Sequence, residues 1–189
     1  MRRVAIFDLD GTLVDSAPDL AAALSRLMAA RGLPGFARED VIPMIGDGAR
    51  VLVERAFAAR GLAPDADALP AFLSDYEANA AVATRPFPGI PEALAALDAA
   101  GWALAVCTNK PEGAARDLLA DLRLAPAFAA ILGGDSLPVR KPDPRHLLGA
   151  IAAAGGEPAR AAMVGDHAND MLAAAAARVP ALFCTWGYG

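Results

Sequence analysis

Val4-Ala5-Ile6-Phe7-Asp8-Leu9-Asp10-Gly11-Thr12 is the stretch whose reading decides the fold. Four apolar, strand-favouring residues end abruptly on Asp-Leu-Asp-Gly, the pattern of a fully buried parallel strand running into a loop. The aspartates also end the apolar run that follows Arg2-Arg3, well short of the roughly 7–15 residues of a secretory signal core or the ~20 of a membrane span. Beyond the loop, Asp15-Ser16-Ala17-Pro18-Asp19 offers a turn and a helix start, and Leu20, Ala23, Leu24, Leu27 and Met28 recur at helical spacing up to Gly32. Further helical periodicity near 50–59 and 69–79, with no strand before Thr84, predicts an all-helical segment over 16–84. After Arg85-Pro86-Phe87-Pro88-Gly89 the rhythm changes. Helices over 90–99, 113–122, 146–154 and 169–177 alternate with strands over 103–107, 131–132, 161–164 and 181–184, which predicts βαβ units and a parallel sheet. The expected architecture is an α/β, Rossmann-like core formed by 1–15 and 85–189, with a small helical cap inserted at 16–84.

The composition suits this layout. A chain of 189 residues that is 56% hydrophobic and 21% charged can build a real core, and it is neither disordered nor low-complexity. Its 17 basic against 22 acidic residues leave a net charge of −5, which argues against a nucleic-acid partner bound through phosphate contacts. Cys107 and Cys184 cannot form a disulfide framework and read as reduced core residues. A soluble cytoplasmic protein with no membrane partner is expected, as a monomer or a homodimer.

Open parallel sheets bind ligands at the carboxyl ends of their strands, and the polar residues of this chain collect there. The first strand ends in Asp8 and Asp10, the second in Thr108-Asn109-Lys110, and the fourth in Gly165-Asp166 with Asp170 four residues on. Between them, Arg140-Lys141-Pro142-Asp143 holds one of only two lysines in the chain. Several carboxylates in one crevice cannot all stay ionised unless a cation shares the site. Oxygen ligands without clustered His or Cys point to Mg²⁺, which binds beside phosphate. With lysine and the metal cancelling repulsion, a carboxylate can attack phosphorus, and a second one two residues away can protonate the leaving oxygen. These residues therefore read as a phosphoryl-transfer site working through an aspartyl-phosphate on a small-molecule phosphate ester. Asp-x-Asp-Gly-Thr is the specific element: at ordinary usage of roughly 6% per residue, a chance match in a chain this long is on the order of 0.002.

With Leu13-Val14-Asp15-Ser16, Thr108, Lys141 and Gly165-Asp166…Asp170, this motif resembles the four motifs of the haloacid dehalogenase superfamily. Asp15 to Leu20, Ile45-Gly46-Asp47-Gly48, Thr108-Asn109-Lys110-Pro111, Gly133-Gly134-Asp135 and Trp186-Gly187-Tyr188-Gly189 further resemble the phosphoglycolate phosphatase family within it. The resemblance implies that Asp8 is the nucleophile and a Mg²⁺ ligand, and that Asp10 is the general acid/base and offers its carbonyl to the metal. Thr108 and Asn109 would hold phosphate oxygens, Lys141 would neutralise nucleophile and phosphate, Asp166 would complete the metal site, and Asp170 would orient Lys141 or a metal-bound water. In the cap, Arg50 or Arg55 would meet the substrate carboxylate, while Lys110 reads as a rim charge.

The chain departs from the family pattern at three points. His167 follows Asp166 where relatives often carry a small hydroxyl residue, Arg178 replaces a helix-ending Gly, and relatives usually continue past the equivalent of Gly189, which suggests a shortened or unusually compact member. A phosphomutase or a generalist sugar-phosphate phosphatase fits the same core residues. A phospho-accepting signalling domain lacks the Asp-x-Asp-Gly-Thr motif and the insert, no nucleotide-binding glycine motif occurs, and a dehalogenase would leave Asp10 without a role.

Overall fold

The computed structural model describes residues 2–189. Strand β1 (Arg3–Phe7) is followed by a two-residue strand β2 (Val14–Asp15) and the helices α1 (Ala17–Ala29), α2 (Arg38–Val41), α3 (Ala49–Ala58) and α4 (Ala68–Asn79). A second short strand, β3 (Arg85–Pro86), pairs antiparallel with β2 and brings the two ends of this helical stretch together. The chain then alternates through α5 (Ile90–Ala99), β4 (Trp102–Cys107), α6 (Glu112–Asp121), β5 (Ala130–Leu132), α7 (Pro144–Ala153), β6 (Ala161–Gly165), α8 (Ala168–Ala177) and β7 (Ala181–Phe183).

Five strands form one parallel sheet in the order β5-β4-β1-β6-β7. β1 lies at its centre because its side chains are apolar on both faces. Val4 and Ile6 pack with Ala103, Ala105, Leu147, Ile151 and Met163 on one side, and Ala5 and Phe7 pack with Leu104, Val106, Leu118 and Leu119 on the other. The second of these cores continues without a break into the apolar faces of α1, α3 and α4. From β1 the sheet builds outward to β4 and β5, then restarts on the opposite side with β6 and β7. The crevice between β1 and β6 is thus the topological switch point, where a parallel sheet opens a binding cleft at its carboxyl edge.

Some local details were not legible in the sequence. The four-residue helix α2, the 3₁₀ turn at Ile42–Met44 and the β2–β3 pair are too short to give a periodic signal. Arg178 caps α8 in the left-handed region at φ 56°, the conformation that a glycine adopts more cheaply. β7 is an exposed edge strand rather than a buried one, with Leu182 and Phe183 open to solvent and only Cys184 beyond it buried. No helix among the described residues is long and apolar enough to cross a membrane.

Candidate active site

The backbone of β1 carries its ladder one residue further, with Asp8 N–H donating to Val164 O at 2.9 Å, so the Asp8 carboxylate stands at the switch point. The chain then turns tightly: Leu13 N–H donates to Leu9 O at 2.9 Å and Gly11 N–H to Val14 O at 2.9 Å. Gly11 sits at φ +84°, and a Cβ there would lie 2.3 Å from an Asp166 carboxylate oxygen, so both the turn and the close approach require glycine. The turn aims Thr12 at Asp166, and its hydroxyl donates to Oδ1 at 2.6 Å. Asp166 Oδ2 accepts from Tyr188 N–H at 2.8 Å. The Tyr188 hydroxyl in turn donates to Asp15 Oδ1 at 2.8 Å and accepts from Ala17 N–H at 2.9 Å. The terminal segment therefore ties Asp166 to the neck of the helical stretch.

Lys141 is buried between two carboxylates, with Nζ 2.9 Å from Asp8 Oδ1 and 2.6 Å from Asp170 Oδ1. Asp170, in the first turn of α8, is held from behind by His167 N–H at 3.0 Å. Burial alone would pull the Lys141 ammonium down, but Asp170 and Asp8 hold it above its ordinary value. Asp8 is pushed up to about 6 by burial, with the Asp170 charge adding and Lys141 opposing. Burial and the Asp8 charge also raise Asp166, against the hydrogen bonds from Thr12 and Tyr188.

Asp8, Asp166 and Asp170 each bring a carboxylate oxygen within 4.8 Å of the others. One ammonium cannot neutralise three buried carboxylates, and the donor set is all oxygen with no soft ligand. Those features fit a hard divalent cation. Each of the three also holds protein donors: Asp170 takes Lys141 and His167 N–H, Asp166 takes Thr12 and Tyr188 N–H, and Asp8 takes Lys141 and Leu9 N–H.

The pocket above Asp8 is lined by Asp10, Thr108, Asn109 and Lys110 from the sheet and by Leu20, Ile45, Leu52, Phe72, Leu73 and Tyr76 from the helical stretch. Thr108 is buried at its floor, and its Oγ1 accepts from Lys110 N–H at 3.2 Å. The Asn109 side chain is committed elsewhere. Its amide donates to Gly46 O and Lys141 O, both at 3.0 Å, so it clamps two loops together and has no N–H left for phosphate.

Two further expectations need correction. Arg50 is exposed and lies along a separate hollow with Glu54, Pro64 and Leu69, while Arg55 is spent on Asp47 Oδ2 at 2.6 Å and Met44 O at 2.9 Å. Neither is among the residues that line the pocket above Asp8. Lys110 is no rim charge. It is 6% exposed, and its Nζ donates to both Asp10 oxygens at 3.2 Å and to Tyr76 Oη at 2.8 Å.

Asn169 and Tyr76 were not singled out from the sequence. Asn169 donates to Asp47 Oδ1 at 2.7 Å, and the ring of His167 underlies Gly46, where a Cβ would lie 2.6 Å from it. A signal for Lys110 and Tyr76 did exist. The chain has two lysines and two tyrosines among its 189 residues, and all four belong to this site.

Comparison with known proteins agrees with the geometry. The haloacid dehalogenase-like hydrolase family model matches residues 3–178, and the chain belongs to that family. It is 50% identical over 189 residues to the phosphoglycolate phosphatase of Agrobacterium fabrum, covering 98% of this chain and 81% of that protein. To the phosphoglycolate phosphatase of Caulobacter vibrioides it is 47% identical, covering 96% of this chain and 78% of the relative. The crystal structure of a predicted phosphoglycolate phosphatase from Haemophilus somnus superposes with a TM-score of 0.91 at 34% identity, over 99% of this chain and 87% of the other.

Proposed function

We propose that this protein is a Mg²⁺-dependent phosphatase that hydrolyses 2-phosphoglycolate to glycolate and phosphate through an aspartyl-phosphate on Asp8. The observation that carries this reading is the Asp8 carboxylate, buried at the switch point with Lys141 Nζ at 2.9 Å and with Asp10 two residues on at the pocket floor. Mg²⁺ held by Asp8, Asp166 and the Asp10 carbonyl would supply the positive charge that lets two anions meet.

In the first step a carboxylate oxygen of Asp8 forms a bond to phosphorus as the ester P–O bond breaks. Asp10 delivers its proton to the departing oxygen, and Lys141 and Thr108 steady the phosphoryl charge. In the second step Asp10 takes a proton from water, the water oxygen bonds to phosphorus, and the Asp8–phosphorus bond breaks to release phosphate. Residues 16–84 act as a cap that shields the pocket from solvent, hinged where β2 and β3 pair. The ligand is a small phosphate ester rather than a nucleic acid. A cytoplasmic setting suits two unpaired, buried thiols.

Steady-state kinetics on a panel of phosphate esters, with and without Mg²⁺, test this reading. Phosphoglycolate should be preferred, chelation should abolish turnover, and Asp8→Asn should lower kcat by several orders of magnitude in folded protein. Near-normal turnover by Asp8→Asn would overturn the covalent mechanism. Full activity after exhaustive chelation would overturn the metal assignment.

A further inference from the structure

Among the described residues lining the pocket, Lys110 is the one cation, and the wall contributed by the helices is apolar apart from the Tyr76 hydroxyl. A lysine in this chain is a choice, since the other fifteen basic residues are arginines. An ammonium is a compact point charge with three donors, whereas a guanidinium is a broad planar fork. Lys110 directs its donors to both Asp10 oxygens and to Tyr76 Oη, and Nζ lies 4.3 Å from the centre of the Tyr76 ring. Tyr76 is itself 2% exposed and stacked on Phe72, with ring centres 5.8 Å apart, so the ammonium is fixed in place. Its contacts to the two Asp10 oxygens are the longer ones, 3.2 Å against 2.8 Å to Tyr76, and they are the ones an incoming anion can replace.

We infer that Lys110, pinned by Tyr76, recognises a carboxylate carried one carbon from the ester oxygen, and thereby restricts the site to phosphate esters of short α-hydroxy acids. The inference rests on the phosphatase reading above, because the Asp10 carboxylate marks where the leaving oxygen must lie. Lys110 Nζ is 3.2 Å from both Asp10 oxygens. A carboxylate carbon two bonds from the leaving oxygen lies only about 2.5 Å from it, which brings its oxygens within reach of Nζ. One carbon more moves the carboxylate off this short reach, and the rest of the wall, Leu20, Phe72 and Leu73, offers an anion no partner, so its desolvation would go uncompensated. A leaving group without charge offers the ammonium no such partner. Tyr76 belongs to α4, so the ammonium is held in this position only while the helical stretch is docked on the sheet.

The experiment compares kcat/KM for 2-phosphoglycolate, its uncharged counterpart ethyl phosphate, and 3-phosphooxypropionate, in wild type, Lys110→Met and Tyr76→Phe. Wild type should favour phosphoglycolate over both others. In Lys110→Met the phosphoglycolate-to-ethyl phosphate ratio should fall by roughly 10- to 150-fold, with KM carrying most of the change. Tyr76→Phe should lower the same ratio by about 3- to 10-fold, because the charge remains but is no longer pinned. Lys110→Gln replaces the methionine variant if that one melts early, and the same loss of ratio is expected. A ratio unchanged in a folded Lys110 variant overturns the inference while leaving the phosphatase reading intact. Equal turnover of 3-phosphooxypropionate and phosphoglycolate overturns the length selection. Wild type without preference for phosphoglycolate over ethyl phosphate overturns the substrate assignment itself, and this inference with it.

Discussion

The carboxyl edge of the sheet and the helical stretch above it face the same pocket with opposite chemistry. The sheet supplies charges that are buried and already interlocked: Asp8, Asp170 and Lys141 form one ion cluster, and Thr12 with the Tyr188 backbone holds Asp166. The helices supply an apolar wall, one tyrosine hydroxyl, and the Gly46–Asp47 loop, which docks on the sheet through Asn109 and Asn169. The contrast teaches a division of labour. On the proposed reading, the interlocked charges of the sheet would act on the phosphoryl group that every substrate shares, and the seam where Lys110 meets Tyr76 of the wall would read what differs between substrates.

The largest expected effect lies in the sheet. Lys141→Met leaves Asp8 and Asp170 facing each other without a cation, so kcat should fall by at least about 10²–10³ on every ester. Stability should drop by about 3–5 kcal/mol, the usual result of stripping one partner from a buried ion cluster. Thermal melts read the second effect and kinetics the first. If a folded Lys141→Met variant lost activity on phosphoglycolate alone, the division between sheet and helices would be broken.

A smaller effect belongs to the docking of the Gly46–Asp47 loop. Burial pulls against ionisation of Asp47, but hydrogen bonds from Asn169 and Arg55 hold its carboxyl below the ordinary range. Asn169→Ala and Arg55→Ala should each lower kcat/KM by about 5- to 12-fold, equally on charged and neutral esters, as a lost hydrogen bond to a buried loop would. Arg50→Ala, outside the pocket, should behave as wild type. Selectivity lost in any of the three would return substrate recognition to the loop and sharpen the comparison in the other direction.

The smallest effect is one of pH and lies beneath the sheet's edge. His146 is buried, with Nε2 2.9 Å from Gly133 O and Nδ1 3.6 Å from Cys107 Sγ. Burial, together with the nearby Lys141 charge, lowers its pKa. Below the ordinary histidine pKa of about 6.5 the unfolded chain binds a proton that the folded one refuses, so this contribution to stability is lost as pH falls from 7 toward 5. His146→Gln should flatten that part of the stability–pH curve, as followed by urea denaturation. An unchanged slope would show that the ring is not the group responsible.

The acidic site was legible because Asp8, Asp10 and Asp166 follow strand ends, with Asp170 one helical turn beyond and Lys141 in the loop before a helix, at spacings that a parallel sheet brings together, and these five residues do converge there. The recognition side was not legible. Arg50 and Arg55 were the natural candidates for an anion partner, since they flank a glycine-rich loop within a helical stretch. Which way a helix turns its long side chains, however, depends on the packing of its apolar face, and here Arg50 lies along a separate hollow while Arg55 is spent on Asp47 and Met44 O. Lys110 looked peripheral because a charge one residue beyond a strand-end motif is usually solvated. It is buried where Tyr76, 34 residues earlier on α4, closes over it.

By itself, then, the sequence determined the alternation of strands and helices, the insertion after the first strand, and the identity of the acidic cluster. Those features follow from hydrophobic periodicity and from short-range spacing along the chain. Only the tertiary structure decided which cation faces the pocket and which residues dock the loop, because those contacts join positions up to 123 residues apart and depend on how two apolar faces settle against each other.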